Sequence, residues 1–526
     1  MKSKSLFYLT CVIAIVFIIY SSFGIKASWS GEHNGCNGGW FSYIAINMIK
    51  YGSFNTKFGM PFNTNYNFEN GEEKIGFFTH HSPLMSTLIS IFFRLFGIHE
   101  YSARLLPIFL NVISIFLFYF IGKEYYNERV GFFSSFFLVL SPIFFNFRNF
   151  VALEAVTITF ILSTIFFYLK WLKEGKNIFF SLFIISLSIG TFTDWEFYFL
   201  IPVLVVHYFL FYRKNLKFYI IIPLTFCLFL LFFLHIYFLT GSFIHSDKDG
   251  SMLEVLLFRT NMDERSQFYG ITYSKIINKF LMGFNRYYGV FSLYVIIIFV
   301  ISSIIKIKYF SGKNNKKTKE ILEKSSLPLL IFISFLSYIF IFTNYYWIHD
   351  YMIGFLIPGY FLMIGVLSDY LFDFIGFFLE KIKMDKRFLK ISIYLVLILI
   401  FTTLSIKTSF NVIKDIYRGT NTIVPIVEFL SKNNGNIIVT YTEDPGYCQV
   451  HFYYANRVVD YVQNYDELNK AIENWNPKNF EYIITKGTQK ISDDFESYLN
   501  SNYNSISLKE NDQSNYTVYM INSPKN

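Results

Sequence analysis

Four places in this chain set acids and histidines where they could do chemistry. Glu32, followed by His33 and Asn34, shares the long polar stretch 28–83 with the adjacent pair His80-His81. Glu154 follows Arg148 by six residues, at the start of an apolar run. Asp194-Trp195-Glu196 and His349-Asp350-Tyr351 repeat the theme further on. A carboxylate within hydrogen-bond reach of a hydroxyl can take its proton, which is general-base chemistry. A phosphate-bearing donor needs cations on the same face, and Lys57, Arg104, Arg148, Arg265 and Arg286 are available. His80, His81 and His349 have the side chains to contact phosphate or a metal.

Each feature also has an ordinary reading. A single acid is a solvated loop charge, and Glu154 is an acid at a helix start, stabilised by the helix dipole by ~0.3–1 kcal/mol. His80-His81 reads equally as a loop pair just before Ser82-Pro83. Four such turns together point to one polar cavity. No phosphate-binding glycine loop, dinucleotide fingerprint, nucleophile elbow or HExxH zinc motif accompanies them, so nucleotide chemistry has no support.

The elements that must position these residues are membrane spans. The 526 residues are 53% hydrophobic, 21% aromatic and only 16% charged, with a mean hydropathy of +0.38. That is too apolar for an ordinary soluble chain. About eleven segments approach the ~20 apolar residues that cross a ~30 Å hydrocarbon core. They fall near 6–25, 104–122, 130–147, 155–171, 178–193, 197–212, 218–240, 288–306, 327–343, 352–373 and 390–408. The net charge of +9 sits at the ends of these runs rather than on one amphipathic face, which argues for topology signals and against a nucleic-acid partner.

Every second connection is basic, from Lys2 and Lys4 through Lys170, Lys173 and Lys176 to the lysines of 306–324. Cytoplasmic loops retain positive charge, so this alternation predicts a cytoplasmic N-terminus in a multi-pass plasma-membrane protein. The first loop, the three acidic turns and the C-terminal region then share the outer face. Residues 1–410 form the membrane domain, with 28–103 as its first outer loop. Within that loop, 39–50 and 83–96 read as amphipathic helices too short to span.

Residues 411–526 are polar, with short β-type runs at 436–441, 457–462, 482–485 and 516–521 between helical patterns at 466–475 and 493–500. This predicts a small α/β domain on the outer face. The cysteines, Cys11, Cys36, Cys227 and Cys448, have no metal-type spacing.

Taken in order, these loops resemble a known group. Gly31-Glu32-His33-Asn34-Gly35, Tyr43-Ile44-Ala45-Ile46-Asn47 and Tyr51-Gly52 are similar to the first-loop signature of lipid-dependent GT-C glycosyltransferases, the protein O-mannosyltransferase and aminoarabinose transferase superfamily. Thr79-His80-His81-Ser82-Pro83-Leu84 resembles that group's histidine-proline-proline-leucine motif, with Ser82 in place of the first proline. Phe96-Gly97, Glu100, Arg104-Leu105, Arg148 with Glu154, Thr193-Asp194-Trp195, and His349-Asp350-Tyr351 with Pro358 continue the match.

The resemblance implies a multi-pass, GT-C-like α-helical enzyme. It would move a sugar, with inversion, from a polyprenyl-phosphate carrier to a lipid, glycan or protein acceptor. The first-loop acid carries over as base to Glu32 and the second-turn acid to Glu154. His33, Asn34, His80, His81, Arg104, Arg148, Asp194, His349 and Asp350 become substrate contacts. Relatives often show an Asp-Glu pair in the first loop, whereas here the acid is followed by His33, so the base lies between Glu32 and a histidine. A divalent metal stays open, with no complete ligand set in view. The rival is a transporter or lipid flippase, whose charges lie near the bilayer midplane; here Asp369 is the acid most clearly inside a span.

Overall fold

The computed structural model describes residues 3–29, 33–67, 72–213, 215–243, 246–247, 250–262, 271–289, 292–311 and 314–381, and parts of 429–524. The ten apolar runs from 6–25 to 352–373 fall largely on helices among the described residues. The predicted span 390–408 lies outside the described residues, as does Glu32. Among the described residues, 6 helices are long and apolar enough to cross a membrane: Glu100–Tyr125, Leu153–Glu174, Leu216–Thr240, Ser292–Phe310, Asn315–Ile341 and Asp350–Ile375. Ser5–Ser21, Leu84–Phe96, Asn177–Thr191 and Trp195–Phe211 are apolar but shorter.

One predicted span is broken. Ser141 caps a new helix by accepting the Phe144 N–H, and Pro142 occupies its first turn, so 130–147 divides into Glu128–Val139 and Pro142–Asn146. Proline is tolerated there because that N–H would have no helical partner.

The bundle has an interior and a rim. In Asp350–Ile375, 89% of the apolar window is buried by protein, against 17% in Leu216–Thr240 and 11% in Ser292–Phe310. Lipid is as apolar as leucine, so burial in a bilayer follows close packing rather than hydropathy. Gly359 lies so near the Asn315–Ile341 helix that an added Cβ would stand 2.7 Å from the Pro328 oxygen. Gly365 approaches Glu128–Val139 as closely, 2.7 Å from the Val130 oxygen.

The two ends of the bundle differ in chemistry. At one end the basic connections pair with acids: Lys170 and Lys173 with Glu124 at 3.2 and 2.9 Å, and Arg129 with Asp369 and Asp373 at 2.7 and 2.9 Å. The acid-bearing turns converge at the other. There the predicted amphipathic helix 39–50 lies within His33–Tyr51, and Phe41 to Met48 are all buried, so it is a core element. Leu84–Phe96 buries Met85, Ile89 and Phe93 while leaving Ile91, Leu95 and Phe96 exposed. The strands Met60–Asn67 and Glu72–Phe78 form an antiparallel hairpin between these two helices.

The C-terminal region holds a five-stranded mixed sheet in the order Val459–Tyr461, Asn436–Val439, Phe480–Lys486, Ser514–Pro524, Tyr503–Asn511. Strand side chains alternate between faces, and the two faces bury different partners. Ile483 and Tyr519 join Leu468, Phe495 and Leu499, the last two on helix Asp493–Asn502. Ile484, Tyr516 and Val518 belong instead to the buried cluster that includes Trp29, Met48, Met85 and Leu106. The sheet is thus packed on the first-loop helices.

Candidate active site

The site is assembled from short turns at the acid-bearing end. The 79–83 turn is joined to the 192–195 turn by two backbone contacts: Ser82 Oγ donates to the Phe192 carbonyl, and Trp195 Nε1 donates to the His80 carbonyl at 3.2 Å. Asp194 caps the helical turn Trp195–Phe199, its Oδ1 accepting the Trp195 N–H at 2.9 Å. The same Oδ1 lies 3.0 Å from His81 Nδ1. On the far side of that ring, Arg259 Nη2 is 3.3 Å from His81 Nε2.

This geometry fixes the imidazole's state. Arginine only donates, so His81 Nε2 must be unprotonated, and the ring hydrogen sits on Nδ1, directed at Asp194. His81 is therefore neutral. Burial, seconded by the Arg259 charge and opposed by Glu196, holds its pKa down at about 3.

A second carboxylate stands beside Asp194. Burial and the neighbouring Asp194 charge push the Glu196 carboxyl well above the ordinary carboxylate range. Glu196 Oε1 accepts from Tyr338 OH at 2.6 Å. Burial raises the Asp194 pKa, and the Arg259 charge and the Trp195 N–H pull it back.

Glu154 occupies the first turn of Leu153–Glu174. Its Oε2 is shielded from solvent and has no hydrogen-bond partner among the described residues, while Glu196, Asp194 and Tyr351 lie within electrostatic reach. Asn37 Nδ2 donates to Tyr351 OH at 3.4 Å, bringing helix His33–Tyr51 to the same place. The Arg259 guanidinium stacks 4.3 Å from the Tyr345 ring, which packs on His349, which packs on Tyr351. Beside Asp194, a cleft lined by Ser82, Thr191, Trp195, Tyr198, Phe229 and Phe232 runs toward the rim helix Ile221–Thr240.

Of the residues singled out from sequence, His81, Asp194, Glu154 and His349 meet here, with His80 adjacent through its backbone. Asp350 lies beside them, accepting from Tyr287 OH at 3.0 Å. Arg104 is engaged with the backbone instead: it donates to the carbonyls of Ile25 and Ala27 and stacks 4.1 Å over Trp29. Arg148 likewise donates to Phe145 O at 3.0 Å and Phe23 O at 3.4 Å. Both hold the chain that leads into and across the site. His33 and Asn34 begin their helix, but their side chains lie outside the described residues, as do Glu32 and Arg265. Among the described residues, no three His, Cys, Asp or Glu side chains stand close enough to share a metal.

Arg259, Glu196, Tyr338 and Tyr345 were not assigned roles from the sequence. Arg259 ends the short helix Met252–Arg259, behind Leu256-Leu257-Phe258. A lone arginine closing an apolar stretch on the acid-bearing side is the signal that would have found it. The tyrosines had none, being 2 among 40.

Comparison with known proteins agrees with this architecture. Residues 80–238 match the family described as dolichyl-phosphate-mannose-protein mannosyltransferase. No curated protein matches the sequence. Among solved structures, the chain is similar to ArnT from Cupriavidus metallidurans bound to undecaprenyl phosphate, with a TM-score of 0.59 and 11% identity over 97% of both chains. It is also similar to the Archaeoglobus fulgidus oligosaccharyltransferase in its apo form, with a TM-score of 0.54 and 13% identity over 92% of this chain and 69% of that one. The archaeal AglB complex with an inhibitory peptide and a dolichol-phosphate gives 0.52 at 11% identity, over 91% and 69%. The resemblance carried by the loop motifs thus extends to the fold: the chain shares the fold of these ArnT and oligosaccharyltransferase structures, and its residues 80–238 match the family described as dolichyl-phosphate-mannose-protein mannosyltransferase.

Proposed function

We propose that the chain is a glycosyltransferase that takes a sugar from a polyprenyl-phosphate carrier and passes it, with inversion, to a hydroxyl acceptor at the outer membrane face. The observation that carries this reading is Glu154 Oε2, a carboxylate oxygen shielded from solvent and without a hydrogen-bond partner among the described residues, within electrostatic reach of Asp194 and Glu196, which Arg259 also reaches. A base and a phosphate-binding cation are the two groups that such a transfer demands.

In this reading Glu32 removes the acceptor hydroxyl proton and Glu154 orients that hydroxyl. The acceptor oxygen bonds to the anomeric carbon as the bond to the phosphate oxygen breaks, and the electron pair leaves with the phosphate. Arg259 meets the charge that develops there, with His81 as a neutral neighbour. The cleft from Asp194 to Phe229 and Phe232 offers an apolar wall for a prenyl tail. That the crystallised ArnT holds undecaprenyl phosphate and the archaeal enzyme a dolichol-phosphate supports the choice of carrier. The lysine-paired end of the bundle would face the cytoplasm, and 411–526 would form an outer domain. No step is assigned to a metal.

The transporter reading loses its best residue. Asp369 is paired with Arg129 at 2.7 Å and receives Asn127 Nδ2 at 2.8 Å, at the charged end of the bundle.

The test is transfer from a polyprenyl-phospho-sugar in proteoliposomes. Glu32→Gln and Glu154→Gln are each expected to abolish product while leaving folded protein in the membrane. Full activity in both would remove these acids from the reaction. Movement of a solute across the same liposomes without sugar product would replace the reading with transport.

A further inference from the structure

The turn at 52–59, between helix His33–Tyr51 and strand Met60–Asn67, is built at a conformational cost. Lys57 and Phe58 both hold positive φ, 49° and 55°, a region that side chains with a Cβ rarely adopt. Two bonds to one helix hold them there. His235 Nε2 is 2.8 Å from the Lys57 carbonyl oxygen, and Lys57 Nζ donates to the Phe238 carbonyl at 2.8 Å, one of the last carbonyls of Ile221–Thr240. Gly59 lies against the same helix end, where a Cβ would stand 2.6 Å from Leu239 Cδ2. The turn is strapped to the helix terminus from both sides.

That helix belongs to the rim, with its outer flank left to lipid. The strapped turn extends the flank with aromatic rings. Phe54 is 84% and Phe58 48% exposed, packed edge to face at 5.1 Å. Beside them Phe238 is exposed, and exposed Tyr237 stacks on exposed Phe243 at 4.6 Å. Exposed phenylalanines with a lysine beside them suit the boundary between head groups and acyl chains, where apolar rings are buried and the charge stays in the polar layer. Continuity with the lipid-facing flank decides the partner.

We propose that the 52–59 turn is an interfacial anchor that inserts Phe54 and Phe58 among the phospholipid head groups and upper acyl chains. The strand that follows leads through the hairpin to Phe78 and the His80-His81 turn, so the anchor sets the height of that turn above the hydrocarbon. The inference concerns lipid contact alone and stands or falls separately from the transfer reaction.

The test uses the full-length protein in nanodiscs of phosphatidylcholine, with Phe54→Trp or Phe58→Trp as variants that keep an aromatic ring. Emission is read as the difference from wild type, whose 6 tryptophans form the background. Lipids brominated near the head group should quench the added tryptophan more than lipids brominated near the bilayer centre, and aqueous iodide should quench it little. Quenching by iodide without quenching by either lipid would overturn the anchor in favour of a solvent-exposed turn. Shielding from all three quenchers would overturn it in favour of a protein partner, including a second copy of this chain.

Discussion

Replacing Arg259 with lysine keeps one positive charge but removes the planar fork that reaches His81 Nε2 at 3.3 Å while lying 4.3 Å from the Tyr345 ring centroid. A lysine ammonium is a point charge and cannot hold both contacts. Losing one hydrogen bond to a charged group costs about 1.5–3 kcal/mol. At about 1.4 kcal/mol per decade, this is roughly a 10- to 150-fold fall in kcat/KM for the donor.

Arg259→Ala goes further, removing the positive charge that acts on buried Asp194 and Glu196 as well as the contact to His81. It should cost most of the activity and lower the melting temperature. The assay is initial transfer rate against donor concentration in proteoliposomes, with added guanidinium as a rescue arm for the alanine variant. Arg259 also helps hold His81 neutral, so the lysine variant should keep the wild-type pH profile, while the alanine variant should carry its acid limb to higher pH. Wild-type kinetics in both variants would refute the placement of Arg259 at the donor phosphate.

Two predictions test the polar centre without reference to sugar transfer. Tyr338→Phe removes the hydroxyl that donates to Glu196 Oε1 at 2.6 Å and should destabilise the protein by about 1–3 kcal/mol, the cost of an orphaned buried acceptor; an unchanged thermal melt would count against that bond. His81 has a folded pKa of about 3, below the ordinary value of about 6.5, so between these values the unfolded chain binds the extra proton. Its contribution is fully present above about pH 6.5 and is lost as pH falls toward 3. Melting temperature in detergent should fall across that window more steeply in wild type than in His81→Asn, and parallel profiles would show that His81 is not held neutral.

Hydropathy made the helices legible, because a span must satisfy its own backbone and expose apolar side chains. It did not reveal which helix is central. Leu216–Thr240 has the higher mean hydropathy, 2.4 against 1.8 for Asp350–Ile375, yet it is the rim helix. Motif order brought His81, Asp194 and Glu154 to notice, because each is a polar residue standing at a turn between apolar runs. It could not show that Arg104 and Arg148 also donate to backbone carbonyls, because a sequence shows a charge but not its partners. Arg259 escaped for the converse reason: it ends a short helix that carries no motif, and only the fold carries it to His81. The alternation in the C-terminal strands was readable, but its two destinations were not, as both faces are apolar.

The burial of Asp350–Ile375 has a consequence for how variation along this chain should be scored. The turn bearing His349 and Asp350 stands at the head of that helix, and the helix is seated by Gly359 and Gly365 against neighbouring backbones. An alanine at either glycine, conservative by hydropathy and away from the acid-bearing turns, would lift or tilt the mast on which the turn is carried. The exposed flank of Ser292–Phe310, a helix without glycine, makes no such close approach to a neighbouring backbone. Two stretches that read alike as membrane sequence therefore differ in mutational tolerance, one ruled by shape and the other by greasiness alone.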